Sequence, residues 1–389
     1  MIDQTSTIPK GWKMTTLGEV AELSKSQWKS GDVDRKYIGL EHINQGDLTI
    51  NGFGNSSKLD SNKFYFKKDD VLFGKLRPYF RKVWKAKFDG VCSTEIWVIR
   101  AKENYNQSFL FYLAANPVFI DKSMGASKGT HMPRADWDYL QNTEWLIPEL
   151  PEQRAIAAVL LSLDDKIELL REQNKTLEAI AQTIFKEWFV NFNFPCATGK
   201  MVDSELGQIP EGWRIRKLGE EVKIVYGKNL PTESLTKSGY TVFGANGRIG
   251  FYDKFIYEKP QVLVSCRGEA SGKVNISLPE SFVTNNSLVL EIPDDSDLNF
   301  CFLKFFSLNN DYTNFVTGSA QPQITIDSLK NCDLLLPQKE VMALFNIAVE
   351  PIDKKHLSNF YQIQTLSALR DTLLPKLMKG EIRVDGFRN

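Results

Sequence analysis

Pro151-Glu152-Gln153-Arg154-Ala155-Ile156-Ala157-Ala158-Val159-Leu160-Leu161-Ser162-Leu163 opens a stretch with no further proline or glycine until Pro195. Pro151 suits the first turn of a helix, where its missing N–H has no intrahelical partner to lose. From there Ile156, Leu160, Leu163, Ile167, Leu170, Asn174, Leu177, Ala181, Ile184 and Trp188 alternate in steps of four and three. That is an a/d seam with an outer face of charged and amide side chains. Some 36 residues of it amount to roughly 54 Å of helix. Asn174 lies on the seam, where a polar residue fixes register and partner at some cost in stability. Such a seam needs cover. Either the helix packs on its own globular domain, or it pairs with a second seam.

A second seam exists. Ile352, His356, Asn359, Ile363, Leu366, Arg370, Leu373 and Leu377 repeat the spacing 189 residues later, with more polar residues. Pro351 and Pro375 are expected to trim or kink that helix. The repeat extends beyond the helices. Ile8-Pro9-Lys10-Gly11-Trp12 and Leu17-Gly18-Glu19 return as Ile209-Pro210-Glu211-Gly212-Trp213 and Leu218-Gly219-Glu220, 201 residues on. Apolar runs around Val71-Leu72-Phe73 and Glu95–Ile99 return as Val262-Leu263-Val264 and Ser287–Leu290, now 191 residues on. Gly129–Pro133 corresponds to Gly318–Pro322 at 189, and Ile147-Pro148 to Leu336-Pro337. Short strand-like pieces punctuated by Gly, Asn and Asp, with one helical piece near 108–115 ended by Pro117, read as α+β. The expected fold is two globular α/β domains separated by two long antiparallel, coiled-coil-like helices in a pseudo-two-fold repeat. The expected boundaries are 1–150 for the first domain and 151–193 for the central helix. The second domain takes 194–337, with a linker at 194–208, and the C-terminal helix and tail take 338–389. The offset shrinks inside the domains and holds through the helices, so the heads differ while the spacer is kept.

Composition sets outer limits. The chain has 389 residues, enough for two or three cores. Its 48 basic and 48 acidic residues cancel, which argues against a protein that simply coats nucleic acid. No apolar run approaches the ~20 residues that span a bilayer, and no signal peptide is visible, so the cytoplasm is expected. Five scattered cysteines and three histidines suggest reduced thiols and no metal site.

Catalytic patterns are missing. Glu269-Ala270-Ser271-Gly272-Lys273-Val274 only approaches a phosphate loop, and Asn193-Phe194-Pro195 lacks the second proline and aromatic of an amino-methyltransferase motif. Local charge is more informative. Between Lys63 and Lys87 nine basic residues face two acidic ones, interleaved with Phe64, Tyr65, Phe66, Phe73, Tyr79 and Phe80. Basic side chains neutralise phosphates, and Arg and Lys also read guanine edges. Lys75, Arg77, Tyr79, Arg81 and Lys82 are therefore candidate DNA contacts; a solvated hairpin face accounts for the same residues equally well. A second basic, Gly-containing stretch adds Lys128, His131 and Arg134. In the second half Asn246, Arg248, Arg267 and Lys273 fall in Gly-rich turns. Gln321 and Gln323 stand where Met132 and Arg134 stand in the first half. Gln suits adenine and Arg suits guanine, so matched positions with different residues fit two unlike half-sites.

The order of these features resembles the specificity subunit of a type I restriction-modification system. The resemblance rests on the two Ile-Pro-x-Gly-Trp openings, on Leu146–Ala157 with its Glu152-Gln153 at the head of the central helix, and on Leu369–Ile382 near the C-terminus. Pro337-Gln338-Lys339-Glu340 departs from it by lacking the Glu-Gln pair. The resemblance implies two target-recognition domains, each reading half of a bipartite DNA sequence. It implies helices that set the gap and dock two modification subunits, which bring S-adenosylmethionine, and restriction subunits that bring ATP and Mg. No catalysis is then expected in this chain. Three rivals remain: a fused or degenerate methyltransferase or nuclease, a two-headed scaffold without DNA, and a related system whose partner combines methylation and cleavage.

Overall fold

The structure is a computed structural model and describes residues 8–125, 132–318, 321–384 and 386. Lys128 and His131 lie outside the described residues. The chain divides into two compact units, residues 1–171 with 361–389, and residues 172–360.

In the first unit, Trp12–Thr16 pairs antiparallel with Glu144–Pro148, so the start and end of the domain are tied together. A buried turn, Leu17–Val20, leads into a four-stranded sheet ordered Ala21–Leu23, Ile96–Ala101, Val71–Gly74, Val83–Lys85. Its central strands are apolar on both faces because both are covered. Val71, Phe73, Val83, Trp97 and Ile99 pack on the helices Gln107–Ala115 and Pro117–Met124. Leu72, Trp84, Ile96 and Val98 face Ile38, Phe66 and Cys92 of a second, five-stranded sheet. The period-2 alternation sorts the side chains between two cores. Pro117 ends nothing: it opens a new helix after Asn116, whose side chain accepts from the Val118 N–H.

The second unit repeats the scaffold. Arg214–Lys217 pairs with Asp333–Leu336, and the sheet is ordered Lys223–Tyr226, Ser287–Glu291, Val262–Ser265, Val274–Ile276. Here the far face is covered by three strands, Gly247–Tyr252, Tyr240–Gly244 and Phe282–Val283. Three strands in place of five accompany the fall of the repeat offset from 201 to 191. Residues 194–208 are more than a linker, since Met201–Ser204 and Gly207–Pro210 form a hairpin.

The long helices are Leu150–Phe189 and Lys339–Met378, 40 residues each. The second runs through Pro351 and Pro375 rather than stopping at either. Pro351 is exposed, as is Ile347 one turn earlier, so the carbonyl freed by the missing N–H is open to solvent. The helices run antiparallel within each unit. In the first, Ile156 and Leu160 share a core with Leu374 and Leu377, and Arg370 Nη1 donates to Asp164 Oδ1 at 2.8 Å. In the second, Phe185 and Phe189 meet Phe345 at ring separations of 6.0 and 4.9 Å, and Asn359 Nδ2 donates to Asn174 Oδ1 at 2.9 Å. Ile167, Leu170 and Ala181 are buried, whereas Leu163, Leu177, Ile184, Trp188, Ile352, Ile363, Leu366 and Leu373 are half-buried. The second seam also begins earlier, at Phe345 and Val349, both fully buried.

The two openings are locked differently. Trp12 Nε1 donates to buried Glu152 at 2.8 Å, and Arg383 Nε and Nη2 donate to the same carboxylate at 2.9 and 2.7 Å. Gln153 accepts from the Asn106 N–H and donates to the Pro148 carbonyl. At the matching positions the second unit has Val341 and Met342, both buried. Trp213 is packed instead by Phe189, Phe192 and Phe194, and its buried Nε1 has no hydrogen-bond partner among the described residues.

Candidate nucleic-acid interface

Each unit builds the same loop at the same end of its four-stranded sheet. In the first, the strand Val71–Gly74 leaves through residues 75–82 and returns as Val83–Lys85; Gly74 N–H donates to the Lys82 carbonyl at 2.9 Å. A segment before the closing strand clasps this loop. Arg77 N–H donates to the Pro133 carbonyl, Ala135 N–H donates to the Lys75 carbonyl, and Leu76 bridges to Arg134. In the second unit Ser265 N–H donates to the Lys273 carbonyl, Gly268 N–H to the Pro322 carbonyl and Ile324 N–H to the Cys266 carbonyl, while Arg267 bridges to Gln323. The links are equivalent one by one. They bring Lys75, Arg77, Tyr79, Arg81 and Lys82 beside Arg134, and Arg267 and Lys273 beside Gln321 and Gln323.

The side chains on this shared backbone differ. Tyr79 is 45% exposed and touches Phe80 edge-on. Arg134 pairs with Glu95 at 3.1 Å, a carboxylate the sequence did not mark. Lys82 Nζ is turned inward to the Leu40 carbonyl, and Arg81 Nη2 donates to the Ala115 carbonyl at 3.4 Å. Lys122 also serves the fold. Its ammonium donates to the Glu144 carbonyl and sits 4.2 Å from the centre of the Trp145 ring, and burial lowers its pKa. In the second unit Lys273 Nζ donates to Asn246 Oδ1 at 2.7 Å, joining the loop to the turn between Tyr240–Gly244 and Gly247–Tyr252. Asn275 supports that turn by donating to the Ala245 carbonyl at 3.4 Å, and Arg248 lies over Phe251. Ile249, Phe255 and Ile256 nearby are exposed apolar residues that no sequence pattern flagged.

A cavity of about 550 Å³ in the first unit, lined in part by Lys68, Trp84, Asp164 and Arg370, is not an anion trap. Four of its five lining cations, all but Lys68, pair with carboxylates: Lys85 with Asp69, Lys87 with Glu168, Arg171 with Asp47 and Arg370 with Asp164. Among the described residues no group of three or more His, Cys, Asp or Glu is placed to hold a metal, and no helix is long and apolar enough to cross a membrane.

The chain thus carries a duplicated scaffold with unlike side chains at its clasped loop. The family profile "Type I restriction modification DNA specificity domain" matches twice, over residues 9–179 and 210–371. The chain belongs to this family. The two matches contain the two clasped loops, and each takes in most of one long helix. A similar curated protein is the type I restriction enzyme MjaIX specificity subunit of Methanocaldococcus jannaschii, 28% identical over 97% of this chain and 95% of that one. The HindI specificity subunit of Haemophilus influenzae is 25% identical over 95% and 99%. Among solved structures, the type I restriction-modification S subunit from M. genitalium superposes with a TM-score of 0.59 at 17% identity, covering 97% of each chain, and so shares the fold.

Proposed function

We propose that this chain is the DNA-recognition subunit of a type I restriction-modification complex. Each clasped loop and its surroundings read one half of a bipartite target. The paired helices set the gap between halves and dock two modification subunits; restriction subunits complete the assembly. Methylation, with S-adenosylmethionine, and ATP- and Mg-dependent cleavage belong to those partners, and this chain contributes selection of the site. What supports the subunit's role is that the two curated relatives, matched over nearly their whole length, are named type I restriction enzyme specificity subunits.

One observation carries the reading: the same backbone links recur in both units while the residues they present change. A conserved frame with altered side chains is what two different half-sites require, because phosphate contacts position a protein and base contacts specify. The neutral net charge fits a subunit that shares phosphate neutralisation with its partners.

The test is a competition binding assay on the full chain assembled with its modification subunits. The complex is expected to prefer its host target over a scrambled duplex by roughly a thousandfold or more. Equal affinity for both duplexes sinks the reading.

A further inference from the structure

The loop of residues 75–82 holds two non-glycine residues in the left-handed region, Arg77 at φ 51° and Arg81 at φ 50°. The equivalent positions of the second unit, placed by the hydrogen bonds described above, are Gly268 at φ 74° and Gly272 at φ 92°. The loop therefore demands this backbone at both positions, and glycine meets the demand without strain. The first unit meets it with arginine, a residue that adopts this conformation at an energetic cost. Strain of this kind, where a cheaper residue serves the same backbone, gathers at functional sites.

The two arginines are not alike. Arg81 reaches the Ala115 carbonyl at the end of the helix Gln107–Ala115, where a cation is favoured by the helix dipole. It is a strut. The Arg77 guanidinium has no hydrogen bond or ion pair among the described residues; Nε is buried without a partner in both arginines, so they differ in the Arg81 Nη2 contact alone. Along the loop, exposed Tyr79 is two residues on, and the preceding residue, Leu76, bridges to Arg134 of the Arg134–Glu95 pair. The Arg77 backbone is pinned to Pro133 at 2.8 Å, so the side chain springs from a fixed base. A half-buried planar fork, unpaired among the described residues and set on a strained backbone, suits bidentate donation to the O6 and N7 of a guanine.

We infer that Arg77 reads a guanine in the half-site taken by the first unit, and that Arg81 positions the loop without touching DNA. This rests on the DNA-recognition reading above and goes on to name the base and the residue. The second unit has Gly268 and Gly272 at these two positions, so it presents no arginine from them.

The experiment selects duplexes from a randomised pool with the full chain assembled with its modification subunits, comparing wild type, Arg77→Gly and Arg77→Lys, and records the melting temperature of each chain. The wild type is expected to demand guanine at one position of one half. Both variants are expected to relax that position by roughly 5- to 150-fold and leave the other half unchanged. Arg77→Lys keeps the charge, so its salt dependence is expected to match wild type. Arg77→Gly is expected to melt at the wild-type temperature or up to roughly 4 °C higher, because glycine relieves the backbone. An unchanged motif in both variants overturns the assignment. So does a uniform loss over all sequences with a shallower salt slope, which marks a phosphate contact, and so does a marked fall in melting temperature. A wild-type complex that selects no sequence overturns the DNA-recognition reading itself.

Discussion

At Trp12 and Trp213 the same indole in the same frame meets opposite chemistry. Trp12 donates to a carboxylate that Arg383 also holds, while Trp213 is ringed by phenylalanines and its N–H goes unpaired. A hydrogen bond to a charged acceptor contributes more than a neutral one, and an unpaired buried donor costs its desolvation, so removing it gives back part of what the smaller ring loses. Trp12→Phe is therefore expected to destabilise the first unit by about 1.5–3 kcal/mol. Trp213→Phe is expected to stay within about 1 kcal/mol of wild type in the second. Denaturant unfolding of the two variants, followed by hydrogen exchange in each unit, reads the difference. The Glu152-Gln153 pair and its absence at Pro337–Glu340 were both legible in the sequence. Their reason was not, because it depends on Arg383, a partner 231 residues away.

The helices carry their own tests. Arg370 is almost wholly buried on the seam. Burial opposes its charge, but Asp164 and Asp371 outweigh that and hold its pKa above the ordinary guanidinium value. Asp164 also accepts from the Tyr112 hydroxyl at 2.6 Å, and burial with that carboxylate raises the tyrosine pKa. Removing Arg370 leaves a half-buried Asp164 without its cation. Arg370→Met is expected to cost about 1.5–3 kcal/mol in the first unit, and the double variant with Asp164→Leu to recover part of it. His356, on the seam of the second unit, has its pKa lowered by burial and by Lys304, against Asp353 and Glu178. A histidine held neutral in the fold supports stability above its unfolded pKa of about 6.5 and withdraws that support as pH falls. The second unit is expected to lose stability on acidification below that point, and His356→Gln to flatten the loss in a pH series of unfolding curves.

The seam spacing was plain from residue 156 onward because helical periodicity is local. The start of the second seam at Phe345 and Val349 was hidden by Pro351, which reads as a stop until its exposed position is known. The five-stranded sheet was less legible still. Its centre joins Lys36–Ile38 to Gly90–Cys92 in parallel, a pairing across more than fifty residues that no local pattern announces. The candidate contacts divided for a similar reason. Charge marked Lys82 and Arg81 as readily as Arg77, and only the Leu40 and Ala115 carbonyls show where two of the three are directed.

Over the whole chain, one scaffold occurs twice with different loops, and two 40-residue helices pass between the units that contain them. If the helices set the gap, adding four residues, about one turn, at matched points in both is expected to lengthen the gap between half-sites while leaving each half as it was. An unchanged gap contradicts that role.

The central claim is that two unlike readers in one chain choose one bipartite site. Sequencing of methylated bases across the host genome, with this gene intact and deleted, tests it most directly. The account predicts an asymmetric motif of two different short halves at a fixed separation, methylated in both halves and lost with the gene. A methylation pattern that survives the deletion, or a lost motif that is a single continuous palindrome, contradicts it.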